Sequence, residues 1–246
     1  PDFTVDTNSG CQGFSVSFSD ITTNNPNTFL WDFGDGATSI SQNPTHIYDT
    51  AGVYDITLTA SISSQCATSI TFPAEIEVFA TPIITFTADT TLGCSTPFNV
   101  AFTDNTINAV SWSWDFGDGN SSNIQNPSNI YASSGLFDVS LLVKNDYECL
   151  SSVTFPNYIQ VDKLPIVNFN AAPIISCVGE NINFSDLSSL EANNWAWDFG
   201  DESYSDNQNP IYSYALPGTY DVSLISGINY CKDTLVMLDY IEIIEP

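Results

Sequence analysis

The sequence predicts an all-β protein of three tandem sandwich modules. Three observations carry that expectation. The chain repeats itself with a fixed period, which carries Trp31 onto Trp114 and Trp114 onto Trp197. Within each copy, short alternating runs rich in Val, Ile, Thr and Phe lie between clusters of Gly, Pro, Asn and Asp. No segment sustains the 3.6-residue apolar period of an amphipathic helix.

The period is clearest in Trp31-Asp32-Phe33-Gly34-Asp35-Gly36. It returns as Trp114-Asp115-Phe116-Gly117-Asp118-Gly119 and, with one change, as Trp197-Asp198-Phe199-Gly200-Asp201-Glu202. Asn43-Pro44, Tyr48 and Gly52 obey the same spacing, as does the first cysteine of each copy, Cys11, Cys94 and Cys177. Modules are therefore expected over residues 1–80, 81–163 and 164–246.

In chain order, Phe14-Ser15-Val16-Ser17-Phe18 alternates cleanly and reads as a strand, with counterparts at Phe98–Phe102 and Ile182–Phe184. An aromatic strand follows. Side chains two residues apart share a face, so Phe29, Trp31 and Phe33 point one way, as do Trp112, Trp114 and Phe116, and Trp195, Trp197 and Phe199. Such a row could stack carbohydrate, but core packing is the simpler account, because immunoglobulin-like sandwiches bury a Trp on this kind of strand. The Asp-Gly after it makes a turn in which Gly36 and Gly119 can take positive φ. Glu202 in the third copy must alter that turn or carry strain. Val53–Leu58 is the next strand, and Ile76-Glu77-Val78 closes the copy.

Six cysteines, two per copy, suit an oxidising compartment. The second of each pair is Cys66, Cys149 or Cys231. Pairing within each copy (Cys11–Cys66, Cys94–Cys149, Cys177–Cys231) is the simplest of the fifteen connectivities that six cysteines allow. Zinc is disfavoured by the absence of CxxC and the single His.

Composition excludes several functions. Three lysines, Lys144, Lys163 and Lys232, stand against 29 acidic residues, for a net charge of −26. Such a chain repels nucleic-acid phosphates and anionic lipid surfaces. No apolar run is long enough to span a membrane as a helix. With no initiator Met and no signal peptide, the chain reads as a piece of something longer. No cofactor is expected; the acidic surface would attract Ca²⁺ only weakly. Catalysis is not expected either. His46 stands alone, its counterparts reading as Asn129 and Ser213. Asp32 and Asp35, with Asp115, Asp118, Asp198 and Asp201, fit turn hydrogen bonding better than paired-carboxylate glycoside hydrolysis.

WDFGDG, then Asn-Pro, then His46-Ile47-Tyr48, then Gly52-Val53-Tyr54-Asp55-Ile56-Thr57-Leu58 resembles the PKD (polycystic kidney disease) domain family in all three copies. The resemblance implies tandem seven-stranded, immunoglobulin-like β-sandwiches in an extracellular protein. Such modules serve as spacers, adhesion modules, or accessory domains of secreted hydrolases. The acidic, cysteine-paired variant resembles the repeat arrays of surface adhesins in gliding bacteria of the Bacteroidetes group. That implies a non-catalytic, cell-surface spacer whose partners are neighbouring modules and extracellular polysaccharide or protein. The alternative is the polysaccharide- or protein-binding accessory array of a secreted hydrolase, contacting ligand through loop tips 22–28, 105–111 and 187–194. Some PKD-like domains hold Ca²⁺ in a loop before the Trp strand. Here Asp20, Asp104 and Asp186 each lack the second carboxylate of that pattern. The junctions Ala80-Thr81-Pro82-Ile83 and Asp162-Lys163-Leu164-Pro165-Ile166 are short and contain Pro, which leads one to expect an extended rod.

Overall fold

A computed structural model describes residues 1–63, 66–189 and 192–245. Among them there is no helix. The first repeat runs through β1 (Phe3–Val5), β2 (Ser9–Cys11), β3 (Phe14–Asp20), β4 (Thr28–Asp32), β5 (Thr38–Ser39), β6 (Thr45–Tyr48), β7 (Gly52–Ser61) and β8 (Ala67–Phe79). The second has β9 (Phe86–Ala88), β10 (Leu92–Gly93), β11 (Phe98–Asp104), β12 (Ser111–Asp115), β13 (Ser121–Ser122), β14 (Ser128–Tyr131), β15 (Gly135–Lys144) and β16 (Leu150–Val161). The third has β17 (Phe169–Ala172), β18 (Ile175–Cys177), β19 (Ile182–Asp186), β20 (Asn194–Asp198), β21 (Tyr204–Ser205), β22 (Ile211–Tyr212), β23 (Gly218–Ile228) and β24 (Cys231–Ile244).

Each repeat makes the same pair of sheets. In the first, β1-β3-β6 face β2-β8-β7-β4-β5. The opening strand of the sandwich is divided between the layers: β1 runs antiparallel to β3, whereas β2 runs parallel to β8, with Cys11 opposite Phe79. Counting that divided strand once gives the expected seven.

By its contacts the chain forms two compact units. One holds residues 1–87, 102–127 and 140–154; the other holds 88–101, 128–139 and 155–246. In the first unit, Trp31 is completely buried among Phe3, Phe18, Phe33, Ile56 and Leu58. Phe3 meets its indole edge-on at 5.1 Å, and Phe86 meets Trp114 the same way at 4.8 Å. In the second unit, Trp197 sits in a matching cluster with Phe169 edge-on at 5.1 Å. A side chain of this size removes roughly 150–250 Å² from water, about 5 kcal/mol at the upper bound of area bookkeeping. The aromatic row thus faces inward and offers no carbohydrate platform at its centre. Each buried indole N–H donates to a carbonyl: Trp31 to Ser41, Trp114 to Ile124 and Trp197 to Asn207.

The turn after the Trp strand is built from its own carboxylates. Asp32 Oδ1 accepts from the N–H of Gly34 at 2.9 Å, and Asp35 Oδ1 accepts from Ala37 at 3.0 Å. Asp115 and Asp118 accept from Gly117 and Asn120, and Asp198 and Asp201 from Gly200 and Ser203. Gly34 is required for two reasons: its φ is +80°, and a Cβ there would lie 2.6 Å from the Asp55 carbonyl oxygen. Glu202 keeps the conformation of Gly36 and Gly119, with φ of +69°, so the third turn carries the strain and does not change shape.

Candidate functional site

The structure corrects the expected disulfides. Cys11 bonds to Cys149, and Cys94 to Cys231. The early cysteine of one repeat is therefore joined to the late cysteine of the next. Cys66 and Cys177 remain as thiols. Pairing within a repeat fails on distance. Cys66 lies just before β8, while Cys11 is in register with Phe79 at that strand's far end. The whole length of β8 separates them, roughly 40 Å at about 3.3 Å per residue, against the roughly 7 Å that a disulfide can bridge. For the same reason no disulfide lies against the buried Trp, as it would in an antibody domain.

The two staples lie at the repeat junctions, each within a network of polar contacts. In the first unit, Asn145 organises the hairpin that carries Cys149. Its Oδ1 accepts from the N–H groups of Tyr147 and Cys149, both at 2.9 Å. Its Nδ2 donates to the Ala80 carbonyl at 2.8 Å. Tyr147 stacks on Phe79 with ring centres 4.0 Å apart, and Ser151 Oγ donates to the Pro82 carbonyl at 2.8 Å. From the other side, Gln12 Oε1 accepts from the Thr81 N–H. Cys149 is fully buried there. In the second unit, Tyr230 donates its hydroxyl to the carbonyls of Gly93 and Gln160, and Asn229 Nδ2 donates to Asp162. Cys231 is fully buried as well.

The loops considered for Ca²⁺ are occupied by donors. In the second repeat, Asp104 accepts from the indole N–H of Trp112 at 2.7 Å, from Gln125 Nε2 and from the Thr106 N–H, with a further short bond from the Thr106 hydroxyl. Asp186 in the third repeat accepts from Trp195, Gln208 and Ser188. Partial burial opposes its charge, but those hydrogen bonds outweigh it and hold the carboxyl below its usual value. A carboxylate ringed by N–H groups does not present oxygens to a hard cation. Among the described residues, no three His, Cys, Asp or Glu side chains are grouped to hold a metal.

His46 Nε2 lies 2.7 Å from Asp35 Oδ2, and the ring stacks on Phe33 at 4.3 Å. Burial of Asp35 is again outweighed, chiefly by the His46 hydrogen bond, so its carboxyl is also held low. The third-repeat counterpart is Tyr212, not Ser213. Its hydroxyl donates to Asp201 at 2.6 Å and its ring stacks on Phe199 at 4.2 Å. His46 and Tyr212 thus do the same structural work, bracing the turn. Of the loop tips, Asn108 to Val110 line a cavity of about 410 Å³ with Ala80 and Tyr147, so that tip belongs to a junction. In the segment 187–194, residues 190 and 191 lie outside the described residues. The junction geometry escaped the sequence reading because parallel pairing of β2 with β8 leaves no local pattern.

The family model for the PKD domain matches residues 3–78, 79–161 and 163–232. A microbial collagenase of Vibrio alginolyticus is 37% identical over 76 residues, which are 29% of this chain and 9% of that protein. Collagenase ColA of Bacillus cereus is 50% identical over 36 residues, 15% of this chain and 4% of that one. The chain therefore spans under a tenth of these relatives. Among solved structures, three N-terminal domains of the bacteriophage RB49 Highly Immunogenic Outer Capsid protein align over 100% of both chains, at 12% identity and TM-score 0.46. An I-band fragment from titin aligns over 98% of both, at 12% identity and TM-score 0.41.

Proposed function

The chain belongs to the PKD domain family, a non-catalytic structural module, and on that basis we propose that it is an extended spacer in a large secreted, cell-surface adhesin, presenting attachment regions in the manner of gliding-motility adhesins. Its disulfides and family membership point to an extracellular protein. The observation that carries the reading is the covalent staple at each junction. A spacer must transmit position from one module to the next, and a disulfide backed by Asn145, Tyr147 and Ser151 restricts bending where a flexible linker would allow it. The net charge of −26 opposes folding back at short range, within a screening length of about 10 Å.

A second reading has support of its own, since the two relatives above are collagenases. In that case the array would be the accessory part of a secreted hydrolase and would bind protein or polysaccharide. Small-angle scattering tests the spacer. The last strands of the three repeats, β8, β16 and β24, run for 13, 12 and 14 residues, so each module should span roughly 40 Å at about 3.3 Å per residue, and an extended particle of at least about 100 Å is expected. A near-spherical particle of about 60 Å would refute it. Retention on insoluble collagen or polysaccharide would favour the accessory array.

A further inference from the structure

The two remaining thiols follow from the same pairing rule. Cys66 occupies the position of Cys149 and Cys231, each bonded to the early cysteine of the repeat before it. Cys177 occupies the position of Cys11 and Cys94, each bonded to the late cysteine of the repeat after it. We infer that Cys66 and Cys177 are the two halves of one further staple: Cys66 receives the early cysteine of another module of this kind, docked on the end of the first repeat, and Cys177 offers the same to a module beyond the third.

Backbone bonds beside both thiols repeat those of their bonded counterparts, although Ile62 stands where the Asn145 side chain holds the Cys149 N–H. Ile62 donates its N–H to the Cys66 carbonyl at 3.4 Å, as Asn145 does to Cys149 at 3.1 Å. Beside Cys177, Val178 donates to Ile244 and Gly179 to Tyr214, as Gln12 donates to Phe79 and Gly13 to Tyr48 beside Cys11. Cys149 and Cys231 are fully buried, whereas Cys66 is exposed and Ile62 beside it is 54% exposed. Cys66 lines an open cavity of about 430 Å³ with Thr22, Asn24, Pro26, Ile62 and Thr68. In the second repeat the counterparts of Ile62 and Thr68, Asn145 and Ser151, donate to the carbonyls of Ala80 and Pro82, just after the last strand of the preceding module. The occupant that fits is therefore the end of such a module, bearing its cysteine beside its last strand.

The chemistry is thiol–disulfide exchange with a small disulfide oxidant such as oxidised glutathione. The Cys66 thiolate attacks the oxidant and expels one glutathione thiolate. An incoming Cys177 thiolate then attacks the mixed disulfide at the Cys66 sulfur, forms the Sγ–Sγ bond and releases the second. Two thiols lose two protons and two electrons, and one glutathione disulfide becomes two thiols.

A second copy of this chain supplies the partner module, so the test needs only two variants, Cys66→Ser and Cys177→Ser. Each keeps the two existing staples and one of the two thiols. Incubated with oxidised glutathione, each alone should remain monomeric, while the mixture should form a disulfide dimer at least tenfold above either alone. Peptide mapping should then show a 66–177 link with 11–149 and 94–231 intact. Equal dimer yields from the separate variants would overturn the inference, as would thiols that only take up glutathione. Neither result depends on particle length, so the outcome is independent of the scattering test of the spacer.

Discussion

Replacing Cys66 with Ser should leave the stretched length of the oxidised chain unchanged, and that invariance follows from the crossed staples. A force applied to the two termini follows the shortest covalent route. In this structure it runs from residue 1 to Cys11, across to Cys149, back along the chain to Cys94, across to Cys231 and on to residue 246. That route holds about 80 residues, and at ~3.5 Å each it limits extension to ~280 Å, against ~860 Å for the reduced chain. Single-molecule stretching with and without a reductant reads both lengths. Pairing within repeats would give nearly the same oxidised length, so the variant is what separates the two. With Cys66→Ser the crossed route is untouched and ~280 Å remains, whereas loss of a Cys11–Cys66 bond would lengthen the route to about 136 residues, ~480 Å. An increase of ~200 Å in the variant, the difference between those two routes, would refute the connectivity and, with it, the junction staple on which the spacer reading rests.

Other consequences can be measured in urea. Glu202→Gly should stabilise the third repeat by about 1 kcal/mol, because it removes a side chain from φ of +69°; an unchanged midpoint would show that no strain is stored there. Trp195→Phe removes the indole N–H from Asp186 while keeping most of the apolar surface, and should cost about 1 kcal/mol after allowance for partial exposure. No loss would mean that water replaces the donor freely. Asp35 and Asp186 both sit below the usual carboxylate range, so the folded chain binds their protons less tightly than the unfolded chain does. Their contribution is complete above the unfolded value, about pH 4, and is lost as pH falls through the lower folded values. In salt sufficient to screen the net charge, the urea midpoint should be lower at about pH 3 than at about pH 7, and an equal or higher midpoint in acid would refute the assignment.

The features legible in the residues alone are local or periodic. The constant spacing of Trp31, Trp114 and Trp197 gives the number of modules. Alternation along Phe14 to Phe18 assigns faces, and the position of Trp31 between Phe29 and Phe33 marks the strand that fills the core. The Asp-x-Gly spacing is legible because Asp32 and Asp35 bond backbone groups two residues away. The same fixed spacing carries His46 onto Asn129 and then onto Tyr212, one residue before Ser213, and the Tyr212 stack on Phe199 and bond to Asp201 agree with it. The cysteine partners lay beyond any such reading. The sequence gives the number of residues from Cys11 to Cys66, and nothing in that number says that they lie at opposite ends of β8. That separation comes from β2 crossing to the second sheet and running parallel to β8, so that Cys11 pairs with the distant Phe79. Once β2 carries Cys11 to one end of its module and the β7–β8 hairpin carries Cys66 to the other, the late cysteine of the next repeat is the one within reach. A disulfide needs two Cα atoms within about 7 Å of each other, and the folded arrangement of the strands selects which two those are.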